Sequence, residues 1–392
     1  IGGAVVVSSG TWDNTGNEGI TFLGSLQVTG GTFNSGSGIY NFLGTTSIGN
    51  GIAFAIQNLT VGSGTLTNSN TAGLTIQTAL AGAGTFTQDV GAVLNLGGTI
   101  TVTGLDATEP GNLVRYSGVS SNQTVAATTY YDLQIDSDVP TLTYDILGGN
   151  IGVSNDLTIS GSSELQASSY TITITGNWIN NGTFTPGTGT VQFSGGNQTI
   201  SGSNTWYGFT VNAPTSRTIY FESGATQTIA SGGTLTLQGA FSNLLTLAPL
   251  TPATPWLLRV NATGVTQNIS YVSPSYSDAG TLGVDATIDA SDGTNDDSGA
   301  GNINWNFSGT ISFSISDNTI GFGTLNSSAA RYATGDTAGS GSAAVAHTLN
   351  AVGPGSGYSI LVQGDSPQCG AYSINPIGGT NTVSSPGSEQ FG

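Results

Sequence analysis

The chain has 392 residues and a net charge of −18, from 22 acidic residues against four arginines and no lysine. Nucleic-acid backbones and anionic membrane surfaces are held through many cationic contacts, so this balance excludes both as partners. Charged residues make up only 7% of the sequence, and 61 glycines with abundant Thr, Ser and Asn take their place beside 14 Phe, 13 Tyr and 5 Trp, a composition that is folded and β-rich rather than disordered.

The first predicted strand is the apolar run Ala4, Val5, Val6 and Val7. Runs of this length are far too short to cross a bilayer, so no membrane insertion is expected. An apolar strand at a terminus carries unpaired N–H and C=O groups. Residues 1–9 therefore have two fates: a cap on the open end of their own coil, or a strand donated to a neighbouring copy. These four residues are the candidate assembly site, and the expected partner is the protein itself, as a homopolymer or lattice. The chain starts on Ile1 rather than methionine, which reads as a processed chain that has lost an export signal.

Two motifs then recur. Gly-Thr-aromatic followed by a glycine turn and an alternating strand appears from Gly10 (GTWDNTGNEGITFLG), Gly31 (GTFNSGSGIYNFLG), Gly84 (GTFTQDVGAVLNLG) and Gly182 (GTFTPGTGTVQFSG). Gln-Thr-aliphatic followed by a strand appears from Asn122 (NQTVAATTYYDLQI), Asn197 (NQTISGSNTWYGFTV) and Thr226 (TQTIASGGTLTLQG). The two also occur in tandem: the stretch from Leu113 aligns with the stretch from Thr190. Strands of four to six residues alternate with period two, as in Thr171-Ile172-Thr173-Ile174-Thr175, and turn signals follow about every ten residues. No helical period is visible. Repeats of about 20–30 residues point to coils too thin to bury a face alone, stacked on one another. The expected fold is all-β, a right-handed parallel β-helix or solenoid over residues 1–308, with tandem β-sandwiches as the alternative. Stacked like charges repel, so a solenoid explains why uncharged Thr, Ser and Asn replace them.

After Thr246 the pattern changes. Three prolines fall between Pro249 and Pro255, and an acidic run follows. Asp289, Asp292, Asn295, Asp296 and Asp297 place oxygen ligands on a glycine loop. Such a set suits calcium, although the EF-hand order is absent; the alternative is a solvated turn. Trp305 and Phe307 are placed to plug the open end of the coil. Residues 309–392 read as a separate small β-sandwich, incomplete as it stands.

The run from about Gly104 to Phe307 resembles the repeat regions of large secreted bacterial surface proteins, the adhesin-like β-helix proteins. The stretches NGTFTPGTGTVQFSGGNQTISGS and DASDGTNDDSGAGNINWNF carry the likeness, and SFSISDNTIGFGTLNSSAARYATGDT resembles an accessory sandwich of such proteins. The resemblance implies a secreted, extracellular or cell-surface protein. It supplies no catalytic residue.

The chemistry of enzymes is thin here. His347 is the lone histidine and Cys369 the lone cysteine, which rules out an internal disulfide and a His/Cys metal cluster. Without lysine there are no Lys–Asn isopeptide crosslinks. Trp206, Tyr207, Tyr130 and Tyr131 are the candidate sugar-stacking aromatics, with Asp132 the acidic residue near them, but a hydrolase needs a carboxyl pair. The expected function is a non-enzymatic structural protein of the cell exterior, a filament or sheath subunit or an adhesin stalk. The alternative is a surface-glycan-binding adhesin or fibre module, and behind that a polysaccharide-active β-helix enzyme.

Overall fold

The computed structural model describes residues 1–118, 122–136, 149–280 and 285–307, together with the backbone of short strands at 143–146, 312–315, 349–352, 368–369, 372–373, 375–376 and 390–391. No helix occurs among the described residues. The chain winds into a parallel β-solenoid of about 13 turns. Each turn lays down three short strands separated by corners, so the stack has three faces. The tandem-sandwich alternative is excluded for this region, because sandwiches pair their strands antiparallel and the strands that stack turn upon turn here run parallel.

The first face begins with Val5–Val7 on Leu26–Val28, then Thr46–Gly49 and Thr65–Asn68. It continues through Ile151–Val153, Thr171–Ile174 and Thr190–Phe193 to Thr266–Ser270. The second face includes Leu113–Tyr116, Asp132–Ile135, Leu157–Ile159 and Trp178–Asn180. The third face includes Ile20–Phe22 on Ile39–Leu43 and, further along, Gln123–Val125. Register partners Phe54, Leu74, Leu94 and Val114 are each 20 residues apart, whereas Leu237 and Ile269 are 32 apart. The added length sits in the corners, and the strands keep their register.

Alternation sets the core. Leu74, Leu94, Val114, Leu133, Leu157, Trp178, Ile200 and Phe221 stack in one inward column and are almost wholly buried. A second inward column holds Ile56, Ile76, Leu96, Tyr116, Ile135 and Ile159. Each such side chain contributes roughly 1.5–3 kcal/mol by leaving water, and no coil can collect that alone. Ile172 and Ile174 point inward while Thr171 and Thr173 stay half-exposed, as their alternation predicts.

The first two Gly-Thr-aromatic motifs stack directly. Thr11 pairs with Thr32, and Trp12 lies parallel to Phe33 with ring centroids 5.8 Å apart. Gly31 has φ of 74°, and a Cβ there would meet the Gly10 carbonyl, so glycine is required. The copies at Gly84 and Gly182 lead into strands on the first and third faces. The tandem alignment is likewise out of phase by one face, since Leu113–Tyr116 lies on the second face and Thr190–Phe193 on the first. The repeated unit is therefore a strand–corner–strand module that serves at any corner of the coil.

By internal contacts the chain divides into two units. One comprises Ile1–Ala290 with Asn295–Phe307, and the other Ser291–Thr294 with Ser308–Gly392. At the end of the first unit Ile288 pairs with Trp305, and Trp305 stacks on Phe307 at 5.8 Å, both rings packed against the core. In the second unit Ser312–Ile315 pairs antiparallel with Leu349–Val352, and Gln368–Cys369 with Tyr372–Ser373. The rest of the expected sandwich, His347 included, lies outside the described residues.

Candidate functional site: faces and polar ladders

The glutamine of the Gln-Thr-aliphatic motif faces the interior, because it shares parity with the buried aliphatic residue two positions on. The Gln123 Nε2 donates to the carbonyls of Leu96 and Gly98, both at 2.8 Å. Gln198 Nε2 donates in the same way to Ile174 and Gly176, and Gln227 Nε2 to Gly202 at 2.9 Å. In each case a buried amide reaches back to the corner of the preceding coil. Corners leave carbonyls without a strand partner, and a buried carbonyl without one is costly. The motif is a device for closing corners.

The ladder extends through Asn204, whose Oδ1 accepts from Trp178 Nε1 and Asn180 Nδ2, both at 2.8 Å, and whose Nδ2 donates to Gln227 Oε1 at 3.1 Å. Trp206 Nε1 also donates to Gln227 Oε1, at 3.0 Å. Arg217 is only 6% exposed. Its guanidinium donates to the carbonyls of Phe193, Asn212 and Gly195 and to Gln198 Oε1. Burial lowers the Arg217 pKa, since the charged form loses solvent.

The four aromatic candidates for sugar stacking do not form a platform, and two of them belong to the core. Trp206 and Tyr130 are fully buried, and only Tyr207 and Tyr131 remain half-exposed. Period-two alternation places each buried ring inward, and tyrosine hydroxyls find partners there. The hydroxyls of Tyr116 and Tyr130 lie 2.8 Å apart; Tyr130 Oη donates to the Ala126 carbonyl at 2.7 Å, and the Ala126 N–H donates to Tyr116 Oη at 2.9 Å. Burial pushes the Tyr116 hydroxyl up to about 12 and Tyr130 well above its ordinary value. Asp132 is engaged in a corner ladder: its Oδ1 accepts from Asn155 Nδ2 and the Asp156 N–H, and Asp156 Oδ1 accepts from the N–H and Nδ2 of Asn177.

The acidic run behaves as a set of local hydrogen-bond acceptors. Asn295 is buried, receives the Val272 N–H on Oδ1 and donates to the Ala290 carbonyl. Asp296 accepts from Ser298 and Ser273, Asp292 from Thr294, and Asp297 from Asn302. The backbone N–H of Asp289 donates to Gln267 Oε1. Among the described residues no group of three or more His, Cys, Asp or Glu is arranged to hold a metal. At the other end Val5, Val6 and Val7 form the first rung on Leu26–Val28; Val7 is buried against the core, while Ala4 and Val6 are exposed.

Charge is distributed unevenly over the faces. On the second face Arg115 is the centre of an outward ladder, with Nη1 on Asn95, Nε on Gln134 and an ion pair to Asp136 at 3.4 Å. On the first face the strands Thr171–Ile174, Thr190–Phe193, 208–212, 234–238 and Thr266–Ser270 carry no charged residue. Their outward columns run Thr171, Thr190, Gly208, Thr234, Thr266 and Thr173, Gln192, Thr210, Thr236, Asn268.

No protein-family model matches the chain, and comparison with curated proteins and with solved structures gives no match.

Proposed function

We propose that this chain is a non-enzymatic structural protein of the cell exterior, a subunit of a surface filament or sheath or the stalk of an adhesin. The observation that carries the reading is where the polar chemistry goes. Gln123, Gln198, Asn204, Gln227 and Arg217 bond one coil to its neighbours inside the stack, and Asp132 and Asp156 do the same at a corner. Side chains that an enzyme would hold ready for a substrate are here committed to holding the coils together. A surface low in lysine and arginine offers few cleavage sites to trypsin-like proteases, which suits an exposed scaffold.

Immunogold electron microscopy of the source cells tests the reading. Label arranged along regular surface material supports it; label confined to the cell interior contradicts it.

A further inference from the structure

With two of the four aromatic candidates buried, a saccharide has no stacking platform where the sequence suggested one. The side of the solenoid holds a different feature. A concavity of about 580 Å³ opens around Gly152, between Thr129 and Thr173 in the outward column. A second, of about 450 Å³, opens around Gly104, which follows Thr85 in its column. The two share Thr128 as a lining residue, so they form one groove running along the stack.

Neither glycine is demanded by the backbone, because neither adopts a positive φ. A Cβ on Gly152 would lie 3.0 Å from the Thr129 Oγ1 and one on Gly104 2.8 Å from the Thr85 Oγ1, so the threonine stacked beneath each glycine leaves little room for a side chain. A glycine inside a strand also leaves the backbone open to close approach from outside. The volumes are those of small-molecule sites.

The lining defines the ligand. Both halves are mixed: Ile100, Val102 and Leu105 stand with Thr103 and Thr124 around Gly104, and Asn150 and Ser154 stand with Ile151 and Val153 around Gly152. Among the described residues no charged side chain lines either half. An anionic ligand finds no cation there and meets a chain of net charge −18. An extended peptide binds by adding to a free sheet edge, yet Ile151–Val153 is already paired on both sides. A pyranose chain fits: it is neutral, its ring faces are apolar and its rim is hydroxylated. From the coil of Ile100 to that of Thr173 is three rung spacings, or about 14 Å, room for a short run of sugar residues.

We propose that this groove binds a neutral linear oligosaccharide, with ring faces over Val102 and Leu105 and hydroxyls on Thr129, Asn150 and Thr173. The site is independent of the scaffold reading: a chain that builds filaments but ignores saccharides sinks the groove alone. The test is isothermal titration of the intact chain with maltohexaose, cellohexaose, mannohexaose and chitohexaose. At least one is expected to bind, and Gly152→Gln, which fills the notch, weakens it about tenfold or more. Val102→Asp gives a second variant with the same expected loss, and Thr236→Gln, outside the groove, leaves binding unchanged. Unaltered circular dichroism and melting establish that each variant is folded. Binding of none of the four sugars, or equal binding by wild type, Gly152→Gln and Val102→Asp, overturns the proposal.

Discussion

The indole N–H of Trp178 donates to Asn204 Oδ1 at 2.8 Å across 26 residues of sequence, with both side chains inside the core. The same oxygen accepts from Asn180, and the Asn204 amide nitrogen donates onward to Gln227 and to the carbonyl of Gly202. Asn204 thus ties together three successive coils. Replacing it by alanine leaves two buried donors, Trp178 Nε1 and Asn180 Nδ2, short of a partner, while Gln227 Oε1 keeps Trp206 and the Gly202 carbonyl keeps Gln227. A loss of about 3 kcal/mol or more is expected, read as a lower urea midpoint with an unchanged slope. An Asn204→Ala variant as stable as wild type would show that the ladder adds nothing.

Much of this was legible in the sequence, and the limits have physical causes. The alternation of Ile172 and Ile174 with Thr171 and Thr173 gave their facing directly, and the spacing of the motifs gave the coil. The role of Gln123, Gln198 and Gln227 was present in the same alternation, since each shares a face with Val125, Ile200 or Ile229. A glutamine is ordinarily expected outside, and only the stacked coils reveal the unpaired carbonyls that make it welcome inside. Similar motifs also fell on different faces, because corner chemistry repeats three times per turn and sequence similarity does not say which corner is meant. The aromatic pair Tyr130-Tyr131 reads as a platform in one dimension, yet alternation sends Tyr130 inward to Tyr116. The groove at Gly152 was not foreseen, since it depends on the residues stacked above and below.

Arg217 makes a sharper case. Its buried charge is held by carbonyls of Phe193 and Asn212 and by Gln198. Arg217→Ala removes the donors and leaves those acceptors buried, for an expected cost of about 1–3 kcal/mol for each one left without a partner. Arg217→Met, which fills the space, recovers part of it. Thermal melts of the two variants check the order: Arg217→Ala melting as high as wild type contradicts the interior role.

Alkaline pH should loosen the fold through Tyr116 and Tyr130. Both hydroxyls are raised in the folded chain, Tyr116 to about 12. In the unfolded chain they ionise near the ordinary value of about 10. The stability they contribute is therefore complete below about pH 10 and is lost as pH rises from there through about 12. The double variant Tyr116→Phe, Tyr130→Phe should flatten that dependence. Stability curves of the two proteins that remain parallel from pH 8 to 12 would show that the pair does not titrate as argued.

Native trypsin should leave the solenoid whole. Arg217 is buried, and Arg115 is held in a ladder by Asn95, Gln134 and Asp136. Cleavage at either requires local opening of paired strands. Mass spectrometry of the digest checks this: fragments ending at Arg115 or Arg217 within minutes, at full native circular dichroism, would contradict the packing.

The central claim is that the stacked coils serve as a scaffold, and cryo-electron microscopy of the purified chain over a range of concentrations and ionic strengths tests it most directly. The account predicts ordered filaments or sheets, or single stalks, in which the rung repeat of about 4.8 Å is resolved within each subunit. Particles in which no such stacked-rung repeat is present, whether dispersed or assembled, would contradict it.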